Sequence, residues 1–128
     1  MQIITKTYLI EAKPEKVWAA LTESKLIDAW GGGPAKMSAE PGKRFALWGG
    51  DIFGANTEIR PKYKLVQDWY AYDWTQPSKV TFFLKAVQGG TNIDLKHEDV
   101  PDKEAAKIAQ GWDEHYFGAI KKYLEEKV

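Results

Sequence analysis

Asp102 to Val128 reads DKEAAKIAQGWDEHYFGAIKKYLEEKV. Its apolar residues recur at Ala105, Ile108, Ala109, Trp112, Tyr116, Ala119, Ile120 and Tyr123, the i, i+3, i+4 spacing of one helical face. The opposite face carries Lys103, Lys107, Asp113, Lys121 and Glu125. Pro101-Asp102 reads as a helix start, with Asp102 as N-cap and Glu104 at the positive end of the dipole. A helix through to residue 128 would be about 39 Å long at about 1.5 Å per residue. Such a rod needs a broad apolar partner, and the middle of the chain supplies a sheet.

Working back from the helix, Thr91 to Glu98 alternates, with Ile93, Leu95 and His97 on one face and Asn92, Asp94, Lys96 and Glu98 on the other, the period-2 pattern of a strand. Gly89-Gly90 marks a tight hairpin to Lys79–Val87. Further strands are expected at Lys64–Tyr72, Ile52–Arg60 and Lys43–Trp48, with a short, weak one at Ala35–Ala39 and the first at Ile3–Glu11. Two short helices follow the first strand. One begins at Pro14 and buries Val17, Trp18 and Leu21; the other has Thr22 as cap and carries Leu26, Ile27 and Trp30, stopped by Gly31-Gly32-Gly33-Pro34. Strands joined by short turns imply an antiparallel meander. The class is α+β: an antiparallel sheet of about six to seven strands curved round a long C-terminal helix, in a single domain spanning residues 1–128.

Composition narrows the function. Eighteen basic residues balance eighteen acidic ones, so the chain lacks the basic face of a nucleic-acid binder. It has no Cys, hence no disulfide framework and no thiolate metal site. The N-terminus lacks a signal-peptide pattern and no apolar run is long enough to span a membrane, so a cytoplasmic location is expected. Six Trp, six Tyr and five Phe are more ring surface than a core this size needs, which suits a lined cavity or a partner surface.

The run GGDIFGANTEIRP (residues 49–61), Trp69, Val100-Pro101 and GWDEHYFGAIKKYL (residues 111–124) together resemble the activator of heat-shock-protein-90 ATPase homologue family. Gly111, Trp112, Tyr116, Phe117, Ile120 and Lys121 carry the most specific part, and PEKVWAALT with LIDAW fits its opening. The resemblance covers essentially the whole chain. It implies the helix-grip fold of the START-like superfamily and, with it, a hydrophobic cavity between sheet and helix. In the eukaryotic co-chaperones of this family a separate N-terminal domain precedes this one; here the chain begins at its first strand, and that domain is expected to be absent.

Candidate site residues come from the aromatic content and the strand faces. Trp30, Trp48, Trp69, Phe82, Leu95, Trp112 and Tyr116 are read as cavity walls, and Asn56, Glu58 and His97 as polar anchors. Each has a plainer reading. Trp112 and Tyr116 also suit ordinary core packing, Asn56, Glu58 and Arg60 a solvated strand face, and His97 a satisfied core histidine. Gly111 and Gly118, costly inside a helix, point to close approach by the sheet or to room for something else. Neither His97 nor His115 has a metal-ligand partner at a recognised spacing, so no metal and no cofactor are expected. Gly31 to Gly33 lacks the Lys of a phosphate loop, and no catalytic nucleophile is readable.

Three functions remain. The first is a non-enzymatic START-like domain holding a small apolar or aromatic molecule. The second is a co-chaperone or stress-response regulator of a heat-shock-protein-90-type ATPase. The third is a cyclase-like or hydrolytic enzyme pairing His97 with a carboxylate. A monomer or weak homodimer is expected.

Overall fold

The computed structural model describes residues 1–126. Lys127 and Val128, with which the expected helix ends, lie outside the described residues. Among those described, six strands form one antiparallel sheet: β1 (Gln2–Ile10), β2 (Arg44–Leu47), β3 (Ile52–Arg60), β4 (Lys64–Ala71), β5 (Ser78–Val87) and β6 (Gly90–Val100), in the order β1-β6-β5-β4-β3-β2. Strands β2 to β6 are the expected meander, and β1 returns to pair with β6. Helices α1 (Pro14–Thr22) and α2 (Ser24–Trp30) follow β1. The C-terminal rod packs across the sheet. This is the helix-grip architecture.

The core is the inward face of the sheet closed by that rod. Phe82, Leu84, Ile93 and Leu95 are buried from β5 and β6, while Lys79, Phe83, Lys85, Asp94 and Lys96 on the alternate positions are exposed. One inward row runs across five strands: Asn56, Gln67, Val80, His97 and Ile4 are successive cross-strand partners. Three of the five are polar and all are buried. Polar groups there must be paired within the protein, since water does not reach them.

The rod departs from a uniform α-helix. It comprises α3 (Ala105–Gly111), a π turn (Trp112–Tyr116) and α4 (Phe117–Glu125). The Phe117 N–H bonds the Trp112 carbonyl, five residues back. The extra residue in that turn rotates α4 relative to α3, so Trp112, Tyr116 and Phe117 are all buried together with Ile120. Phe117, absent from the expected stripe, stacks on Tyr8 at 4.6 Å and packs near Phe82. Gly118 is explained by the same turn. A Cβ there would lie 2.1 Å from the Asp113 carbonyl oxygen, so its requirement is set by the helix backbone rather than by the sheet.

The polar side of the rod is also engaged. Asp113 accepts from Lys6 Nζ at 2.8 Å and from the Tyr8 hydroxyl at 2.7 Å. Lys121 Nζ donates to the Leu9 carbonyl, and Glu125 accepts the Glu11 N–H. These contacts tie the rod to β1 and to the residue that follows it.

Several local expectations are corrected. Asp102 is not a cap: the helix begins at Ala105, and the Asp102 carboxylate instead meets the N-terminal ammonium of Met1 at 2.7 Å. Thr22 ends α1 and its hydroxyl donates to the Trp18 carbonyl, while Glu23 occupies the cap of α2. Ala35–Ala39 forms only a single bridge, Lys36 to Ala46, because the Ala35 and Met37 N–H groups are taken by the side chains of Asp28 and Ser24 rather than by a strand. Among the described residues no helix is long and apolar enough to cross a membrane.

Candidate functional site

Where β2 turns into β3 and β4 ends, the sheet stands away from the start of the rod. The gap is a cleft of about 430 Å³. Trp48, Ile52, Trp69 and Tyr72 line it from the sheet side; Lys107, Ile108, Gly111, Trp112, His115 and Tyr116 line it from the rod.

Each wall residue is held by identifiable forces. Trp48 leaves β2 at φ 48°, a left-handed backbone that costs an aromatic residue roughly 1–3 kcal/mol. Its indole N–H donates to the Gly31 carbonyl and its own backbone N–H to the Gly32 carbonyl, each at 2.8 Å. The glycine run that stops α2 therefore also anchors this turn. Trp30 stands behind: its N–H donates to the Ala20 carbonyl, and its ring backs Trp48 at 6.2 Å and Tyr116 at 5.0 Å. Trp69 stacks on Trp112 with centroids 5.4 Å apart. Burial raises the Tyr116 phenol well above its ordinary pKa, so it stays neutral. Gly111 has nothing within 4 Å of where a Cβ would be. Of the two explanations for this glycine, the structure shows room rather than close approach.

Behind the wall lies a polar relay. Ser78 Oγ donates to the Trp69 carbonyl at 2.6 Å and lies 2.8 Å from His97 Nε2. A hydroxyl has one proton and the carbonyl can only accept, so the proton between Ser78 and His97 belongs to His97. Its Nδ1 is then the acceptor that receives the Trp112 indole N–H at 3.1 Å. The network thus selects the neutral Nε2–H tautomer. Burial pushes the imidazole down from 6.5 to about 3, and a second proton would set two N–H groups against each other. The carboxylate partner that acid–base chemistry at His97 would use is not there; its two nitrogens meet Ser78 and Trp112.

The expected site residues therefore separate. Trp48, Trp69, Trp112 and Tyr116 converge on the cleft. Trp30 and His97 lie one layer behind, and Phe82 and Leu95 are buried in the core beneath. Asn56 is fully buried and satisfied: it accepts from Gln67 Nε2 at 3.0 Å and donates to the Ser38 carbonyl at 2.8 Å. Glu58 is on the outside, paired with Arg60 and Lys64. A β-bulge between Asn56 and Glu58 is the reason, since an extra residue reverses the alternation. Ile59 then packs on the core in the place expected of its neighbours. Ile52, Tyr72 and Lys107 were not expected at the site. Tyr72, at φ 55° just beyond β4, lies under Lys107 Nζ at 4.9 Å, and no sequence pattern marks either. Ile108 was in the apolar stripe and could have been included.

Against known proteins, residues 11–125 match the family model described as Activator of Hsp90 ATPase homolog 1-like protein. The human activator of 90 kDa heat shock protein ATPase homolog 1 is 27% identical over 120 residues, 92% of this chain and 35% of that protein. The chain thus spans about a third of that relative's length. Among solved structures, an HSP90 activator from Plasmodium falciparum superposes with a TM-score of 0.88 at 25% identity, covering 98% of this chain and 97% of that one. A protein from Mesorhizobium loti gives 0.84 at 26% identity, covering 99% of both chains.

Proposed function

Because this chain belongs to the Activator of Hsp90 ATPase homolog 1-like family, with the START-like helix-grip fold, we propose that it is a binding domain rather than an enzyme, and that its cleft holds a small apolar or aromatic molecule. One observation carries this reading: four aromatic side chains from three separate segments, Trp48, Trp69, Trp112 and Tyr116, line one cleft of ligand size. A core needs these rings buried, but not arranged around a gap. The inward groups with acid–base potential are already committed, His97 to Ser78 and Trp112, which supports binding over catalysis.

The test is an amide and indole NMR titration of labelled protein with fatty acids, sterols and planar aromatics. Shifts centred on Trp69, Trp112 and Tyr116 are expected. A panel that moves no cleft resonance overturns the reading.

A second reading is favoured by the relatives: the chain acts as a regulator of a heat-shock-protein-90-type ATPase. The solved chain described as an HSP90 activator from Plasmodium falciparum is matched over 97% of its length, which supports this reading. Adding purified protein to a chaperone ATPase assay decides it. Stimulation supports the reading, and none at saturating protein removes it.

A further inference from the structure

The mouth of the cleft already holds one cation. Lys107 and Tyr72 both line it, one from the rod and one from the sheet side. The Lys107 ammonium sits over the Tyr72 ring, 4.9 Å from its centroid. Both side chains are exposed, so the contact is made at the rim and is not imposed by core packing. An aromatic face attracts a cation through its quadrupole when the charge lies within about 6 Å of the ring centre. The lysine is thus a stand-in, within the chain, for the kind of group this rim accepts.

The rim is fixed by its backbone. Trp48 and Tyr72 are two of the four non-glycine residues with left-handed φ among the described residues, at 48° and 55°. The Tyr72 N–H donates to the Asp51 carbonyl at 2.8 Å, and the Asp51 N–H donates to the Trp48 carbonyl at 3.3 Å. Two strained aromatic residues and an acid therefore form one hydrogen-bonded unit at the mouth. Such backbone costs persist where the surroundings over-determine them, and they concentrate at ligand clamps.

The charges around the cleft favour the same sign. Asp51 lines it from the sheet side and Glu114 from the rod, against the single ammonium of Lys107. His115 lies 3.9 Å from the Glu114 carboxylate and adds charge only when protonated. Two carboxylates to one ammonium leave the mouth negative. An anion meets repulsion there, whereas a cation gains from both the carboxylates and the rings.

We propose that the cleft binds an organic ammonium ion, its charge held at the mouth between the aromatic side chains and the carboxylates of Asp51 and Glu114. The proposal rests on the cleft-binding reading above and names the charge of the ligand.

The experiment compares para-tert-butylbenzyl alcohol with its isostere in which trimethylammonium replaces the tert-butyl group. The two have the same outline and differ in charge. Labelled protein is titrated with each while the amide and indole resonances of the cleft are followed. The cation is expected to bind about threefold tighter or more. In the double variant Asp51→Asn, Glu114→Gln the two affinities should come within about twofold of each other, and in Lys107→Met the preference for the cation should widen. All three substituted side chains are exposed, and each preference is a ratio measured on one protein, so a change in the wall common to both ligands cancels. Equal or tighter binding of the neutral alcohol overturns the proposal and leaves the cleft reading standing. A preference that the double variant leaves intact, or that Lys107→Met reduces, overturns it as well. Binding of neither compound at the cleft overturns both.

Discussion

The indole N–H of Trp112 reaches Nδ1 of His97 across 3.1 Å, tying the π turn of the rod to the centre of β6. Both residues are buried, so this bond has no competing water. It holds the cleft wall in place and it fixes which nitrogen of His97 carries the proton.

The first prediction concerns pH. His97 is held down to about 3 in the folded protein, against 6.5 ordinarily. Below pH 6.5 the unfolded chain takes up a proton that the folded chain refuses, so the contribution of His97 is complete above 6.5 and declines as pH falls toward 3. The slope is up to about 1.4 kcal/mol per pH unit. His97→Gln should flatten urea-unfolding stability between about pH 6.5 and 4 relative to wild type. Parallel profiles would show that His97 is not the group responsible.

Trp112 is the second. Trp112→Phe keeps a ring but removes the N–H, leaving Nδ1 of His97 without its donor; the expected loss is about 1–3 kcal/mol. Trp112→Ala should lose about 3–5 kcal/mol and ligand binding with it. Unchanged thermal stability of the alanine variant would refute the placement of this side chain.

The two rod glycines should answer oppositely to the same substitution. Gly118→Ala sets a Cβ against the Asp113 carbonyl, so the π turn must shift and thermal stability should drop. Gly111→Ala meets nothing and should gain up to about 1 kcal/mol from helix propensity, while its new methyl enters the cleft and weakens binding. Similar Tm changes for both variants would argue against the π turn.

Asn56 should behave as a structural residue. Asn56→Ala leaves the buried Gln67 amide and the Ser38 carbonyl each short of a partner, and about 2–3 kcal/mol should be lost. Because Asn56 does not line the cleft, affinity in the surviving folded protein should stay unchanged. A selective loss of affinity with stability intact would return it to the site.

What could be read along the chain was whatever leaves a repeating mark. Period-2 alternation from Ile93 to His97 marked an inward face, because each strand residue points opposite to its neighbour. Turn glycines and the helical stripe marked element order and the antiparallel meander. The motif around Trp112 and Tyr116 carried the family. Local sequence determines these because they depend on neighbours within a few residues.

The tertiary structure decided how those elements are phased and which rings face a gap. One extra residue in the bulge after Asn56 turned Glu58 outward, and one in the π turn brought Phe117 inward. A single inserted residue shifts phase without changing the period on either side, so the pattern alone does not show it. Likewise Phe82 and Trp69 are both inward and aromatic, yet Phe82 is core and Trp69 is wall. That difference depends on how far the rod stands from each end of the sheet, a distance set by contacts between residues far apart in the chain.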